Sequence, residues 1–158
     1  MKKRLILVIL ILMLAVILTA CGGAPKIDWE LKVSGAVSNP TLFTYEELSA
    51  QPQTDLDEVF MDKSVGEDEY GGWSGVLISD IFEKSGVDDN FVSVTAIAAD
   101  GYAIEISKDE LAGGLVALKE NEEWIQEADP EHGPIRLVCP ETPANRWVFQ
   151  LIELQIND

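Results

Sequence analysis

The stretch Phe91-Val92-Ser93-Val94-Thr95-Ala96-Ile97-Ala98-Ala99-Asp100-Gly101-Tyr102-Ala103-Ile104-Glu105-Ile106 decides the fold class. Val92, Val94, Ala96 and Ala98 face one way, and Phe91, Ser93, Thr95 and Ile97 the other. That is strand spacing with apolar groups on both sides. Asp100-Gly101 then turns the chain into Tyr102, Ile104 and Ile106, so the stretch predicts a β-hairpin. Upstream, Val76 to Ser85 carries Leu77, Ile78, Ile81 and Phe82 on one helical face. Ser74 is placed to cap this main helix and Gly86 to stop it. Further out, Trp29, Leu31 and Val33 alternate with Glu30, Lys32 and Ser34 as a half-buried strand, and Asn39-Pro40 turns the chain. Thr44 with Glu47, and Ser107 with Glu110, have capping-box spacing and predict two short helices. Downstream strands are predicted at 115–118, 135–139 and 148–156. Strands outnumber helices and no repeat is present, so the expectation is one α+β domain over residues 29–158, a mixed β-sheet with a few short helices.

The chain has 158 residues, 47% apolar and 25% charged, with a formal charge of −17. That length fits one domain, and the apolar fraction excludes a disordered polymer. The acidic balance argues against a nucleic-acid partner, because phosphate contacts come from clustered Lys and Arg. Lys2, Lys3 and Arg4 precede a 14-residue apolar run, Leu5 to Leu18, too short for a mature membrane span and suited to an export signal. The run ends in Leu18-Thr19-Ala20-Cys21, which resembles the lipobox of bacterial lipoproteins. The reading is a signal peptide over residues 1–20, a lipidated Cys21 followed by a tether over residues 21–28, and an extracytoplasmic domain held to the bacterial cell membrane by lipid; a signal anchor that stays in place, with an incidental cysteine, is the alternative. Loss of residues 1–20 removes three basic and no acidic residues, making the product more acidic still. Lipidation would consume Cys21 and leave Cys139 without a disulfide partner.

Two features can carry chemistry. The two arginines beyond the signal, Arg136 and Arg146, lie with the single histidine, His132, in one 15-residue segment. Guanidinium groups suit phosphate or carboxylate, so a local anion site is one reading; pairing with two of the 28 acidic residues is the other. The second feature is Tyr70-Gly71-Gly72-Trp73-Ser74-Gly75, read as a loop leading into the main helix, where free N–H groups and bare backbone admit a ligand. It lacks the endings of a phosphate loop or a nucleophile elbow, and a turn with Trp73 packed in the core is the alternative. The acidic run from Asp55 to Glu69 lacks calcium-loop spacing and reads as a solvated face. One histidine and Cys139 make neither a common zinc site nor a triad, and Cys139 shares a strand side with Ile135 and Leu137, as a buried small residue would.

The blocks Leu31 to Pro40, Phe43 to Leu48, Trp73-Ser74-Gly75-Val76, Asp100-Gly101-Tyr102, Gly133-Pro134-Ile135-Arg136-Leu137-Val138 and Arg146-Trp147-Val148 together resemble the sulfite-oxidase-type oxidoreductase molybdopterin-binding domain. The resemblance implies that family's mixed-sheet fold and a cleft for a pterin-dithiolene phosphate bearing molybdenum. By position, His132, Gly133 and Arg136 would line the pterin pocket, Arg146 would hold the phosphate end, and Trp73 would stand beside the cleft. The family also places a metal-ligating cysteine between the first helix and the tryptophan turn. Residues 51–72 contain no cysteine, only Val59, Phe60 and Met61 around that position. Members that carry the cofactor usually leave the cytoplasm folded through a twin-arginine signal, and Lys2-Lys3-Arg4 is not one. The resulting expectation is a tethered binding or accessory protein taking a pterin or other small anionic ligand. A molybdopterin oxidoreductase with an atypical metal shell, and an acidic module that recruits an envelope protein, are the alternatives.

Overall fold

A computed structural model describes residues 23–158. The expected signal peptide over residues 1–20 and the expected lipidation site Cys21 lie outside the described residues. Ten strands form two five-stranded sheets. The first runs β2 (Thr41–Thr44), β1 (Glu30–Gly35), β10 (Leu151–Asn157), β5 (Ser93–Ala98), β6 (Ala103–Ser107). The second runs β3 (Thr54–Met61), β4 (Glu69–Leu77), β7 (Leu115–Glu120), β8 (Glu123–Trp124), with β9 (Arg136–Val138) also on β7. Three short α-helices complete the fold of the described residues: α1 (Tyr45–Ala50), α2 (Ile78–Ser85) and α3 (Ile125–Ala128). None of the described helices is long and apolar enough to cross a membrane.

Alternation sets the first sheet. In β1, Leu31 and Val33 are fully buried while Glu30 and Lys32 face solvent, and β1 pairs in parallel with β10 near the far end of the chain. Such a pairing closes the domain, because parallel neighbours need a long crossover and here nearly the whole chain supplies it. The expected hairpin forms β5 and β6, pairing Ser93 with Ser107 through Ile97 with Ala103. Its turn has Gly101 at φ +88°, with the Tyr102 N–H donating to the Asp100 carboxylate at 2.8 Å. Thr44 and Glu47 make the full capping box that opens α1.

Three expectations are corrected. The helix predicted from Val76 begins at Ile78, and Ser74 lies inside β4 rather than at the cap. The glycine-rich segment at residues 70–75 is likewise strand, not loop: a Cβ on Gly75 would stand 2.2 Å from the Val116 carbonyl oxygen, so glycine permits β4 to close on β7. The Ser107–Glu110 box makes its hydrogen bonds but caps only turns, because Gly113, at φ +68°, and Gly114 follow at once. Part of the acidic run is also strand. β3 buries Val59 and Met61 and points Asp55, Asp57 and Glu58 outward across a register shift between Leu56 and Val59.

The sheets meet where β9 reaches β10. Leu137 donates to the Val148 carbonyl at 2.8 Å, and Leu151 to that of Ile135 at 3.1 Å. β4, β9 and the segment from Ala144 to Gln150 therefore converge, and the sequence-predicted arginines lie at that convergence.

Candidate functional site

Arg136 opens β9 opposite Ala117 of β7. Its guanidinium carbon lies 3.8 Å from the ring centre of Phe149, 4.7 Å from Trp73 and 5.4 Å from Trp147. The two indoles meet edge to face at 5.6 Å, the arrangement their quadrupoles favour. Trp73 is only 1% exposed in mid-β4, and Trp147 is anchored by its Nε1 donating to the Cys139 carbonyl at 2.9 Å. Three π faces thus replace the water that would solvate this cation. No ion pair to Arg136 occurs among the described residues. Burial lowers its pKa to about 10, against the opposing pull of Glu120, Asp129 and Glu69. The Nε of Arg136 and the Nε1 of Trp73 are both buried without a hydrogen-bond acceptor.

Arg146 is placed differently. It ends a short 3-10 turn (Ala144–Arg146) and approaches Glu110 at 2.8 Å, while its Nη2 also donates to the Glu105 carbonyl at 2.9 Å. Glu110 also accepts from the Ser107 backbone and hydroxyl. The Ser107 backbone contact first, then Arg146 and the Ser107 hydroxyl, hold its carboxyl below the usual range. One arginine is therefore neutralised within the chain and the other is not.

His132 lies 4.5 Å from the Phe149 ring and pairs through Nδ1 with Asp129 at 2.7 Å. Gly133 is buried against α3, where a Cβ would come within 3.0 Å of the Gln126 backbone nitrogen. A cavity of about 490 Å³ is lined by His132, Trp147, Phe149, Tyr102 and Asn145 among others, and neither arginine is among its lining residues. Phe149, 37% exposed, contacts Arg136 on one hand and lines this cavity on the other. Sequence reasoning did not place Trp147 and Phe149 in the site. Their two-residue spacing directly after Arg146 is the signal that was available.

The buried N–H groups fit a ligand rich in anionic or acceptor oxygens, since an unpaired buried donor costs about 1–3 kcal/mol and an acceptor would relieve it. The same surroundings do not fit molybdenum. On β3, the residues around the position expected for a thiolate are Val59, Phe60 and Met61, none of them a thiol, and Met61 is 2% exposed. A thioether carries no charge, so it cannot supply the anionic sulfur donor that a thiolate would. Cys139 is fully buried, and burial raises its thiol pKa to about 12. No three His, Cys, Asp or Glu side chains among the described residues gather as a metal-holding group.

Two sheets with short helices thus hold an arginine against two indoles. The chain belongs to the oxidoreductase molybdopterin binding domain family, whose model matches residues 21–158. It is 30% identical over 115 residues to the uncharacterized oxidoreductase YuiH of Bacillus subtilis (strain 168), an alignment covering 71% of this chain and 57% of that protein. Over 176 residues it is 24% identical to the NADH nitrate reductase of Volvox carteri, covering 87% of this chain and 20% of that one. Its fold matches the sulfane dehydrogenase SoxCD of Paracoccus pantotrophus with a TM-score of 0.73 at 24% identity, over 86% of this chain and 40% of the other. The chain thus spans little more than half of one curated relative and a fifth of the other.

Proposed function

We propose that the protein is a lipid-anchored, extracytoplasmic binding or accessory domain that takes a small anionic ligand of the pterin class at Arg136 and performs no molybdenum redox step. The observation that carries this reading is the unpaired guanidinium of Arg136, framed by Trp73, Trp147 and Phe149 in a chain otherwise dominated by carboxylates. A charge-assisted hydrogen bond there is worth about 1.5–3 kcal/mol, and Phe149, 37% exposed beside the guanidinium, offers a ring edge or face to a flat ligand. The electron-transfer reading draws its support from the oxidoreductase names of the relatives. The donor set of this chain opposes it, because residues 51–72 hold no cysteine to supply a thiolate.

Metal analysis decides between them. Protein purified from its own host membranes is expected to contain far less than one molybdenum atom per chain by mass spectrometry, with no sulfite- or nitrate-dependent electron transfer. Stoichiometric molybdenum with turnover overturns the proposal. The tether has a separate test. Cys21→Ser is expected to abolish labelling by a radioactive fatty acid that the unaltered protein takes up, because a diacylated cysteine carries the two chains that stable anchoring needs. An unaltered protein that takes up no label, or a Cys21→Ser protein labelled as before, would refute lipid anchoring at Cys21.

A further inference from the structure

A second cavity, of about 760 Å³, lies between α2 and the turns that follow β6, and it shares no lining residue with the cavity beside Arg136. Its apolar lining includes Leu77, Phe82, Phe91 and Leu111. Phe82 and Phe91 meet edge to face at 5.4 Å, and Phe91 is only half-buried, so one aromatic wall stays open. The size and apolar lining are those of small-molecule sites.

The polar groups around this cavity are nearly all of one sign. Glu83, Asp89 and Asp109 line it and make no ion pair among the described residues. Asp88 is committed locally, accepting from the backbone and side chain of Asn90. The one cationic group in the lining, Lys108, is already placed: its ammonium stands 5.1 Å from the centre of the Phe91 ring and donates to the Asp89 carbonyl. The edge of the groove thus already stabilises an ammonium ion with a ring face and a carbonyl oxygen, and the three carboxylates are left over for another.

We propose that this groove binds a small organic cation with an apolar body, the body against Phe82, Phe91 and Leu111 and the charge between Glu83 and Asp109. An anion meets uncompensated repulsion there. A neutral molecule of the same shape keeps the apolar contact and loses the charge term.

Benzylamine, benzyl alcohol and benzoate, titrated by calorimetry into the full-length protein, separate these cases. Benzylamine is expected to bind saturably, benzyl alcohol about two- to five-fold more weakly, as loss of a partly screened ion pair implies, and benzoate not at all. Raising the salt concentration should narrow the gap between amine and alcohol. The double variant Glu83→Gln, Asp109→Asn removes only exposed charges and is expected to make the two ligands equal. Ala112→Trp, at an exposed lining position, should fill the groove and abolish binding of both. Equal binding of amine and alcohol by the unaltered protein, amine binding that survives Ala112→Trp, or no saturable amine binding would each overturn the proposal.

Discussion

Trp73→Ala is expected to destabilise the domain by about 3–5 kcal/mol, read as a lower urea midpoint with the slope unchanged, because a large buried side chain leaves its contacts and a cavity. The indole is 1% exposed and sits in the middle of β4, paired with Leu56 on one side and Glu120 on the other. It supports the Trp147 ring at 5.6 Å and one face of Arg136 at 4.7 Å, so its loss also exposes a guanidinium held by ring faces. Trp73→Phe separates the packing from the polar tip. The phenyl ring keeps most of the apolar contact and removes an Nε1–H that has no acceptor, so it should cost roughly half as much or less. A Trp73→Ala protein with an unchanged midpoint would show that the cage is not a structural unit.

Legibility of the fold followed periodicity. β1 and the β5–β6 hairpin show clean alternation and an Asp-Gly turn, and both appear where the sequence places them. β3 was hidden because its bulge breaks the alternation between Leu56 and Val59, and because Asp55, Asp57 and Glu58 mask the two residues that go inward. β4 was hidden by its glycines, which signal loops in isolation. Here Gly75 is required by the approach of the Val116 carbonyl, a contact between strands about forty residues apart that no local pattern reveals. Ser74 before an apolar face has the spacing of a cap, yet the β4–β7 ladder extends to Leu77 and holds that backbone extended.

The site divides in the same way. Composition singles out Arg136 and Arg146 as scarce cations, and the sequence leaves open whether each meets a carboxylate. The fold answers differently for each. Glu110, 36 residues before Arg146, is fixed by its turn with Ser107 and takes that arginine. Arg136 emerges from β9 among rings, and the carboxylates nearest in effect, Glu120, Asp129 and Glu69, act on it only at a distance. Which of many acidic residues finds which arginine is a property of the sheet register, not of the local sequence.

Arg136→Met tests whether that arginine is retained for a ligand or for the fold. Methionine matches its length and packs well against aromatic faces. It also removes a buried charge that has no ion-pair partner among the described residues and whose pKa is lowered chiefly by burial. Replacing such a group with an apolar side chain is often neutral or stabilising, so the urea midpoint of Arg136→Met should equal or exceed that of the unaltered protein. Binding of pterin-6-carboxylate, an anionic probe of the proposed ligand class, should fall roughly ten-fold or more, the loss of one charge-assisted hydrogen bond. A group kept for packing would give the opposite pair of results, a lower midpoint with the weak or absent binding of the probe unaltered. Stability gained while affinity is lost is the signature of a residue kept for its ligand, and the buried Nε of Arg136, which has no acceptor, is the group whose desolvation such a replacement relieves.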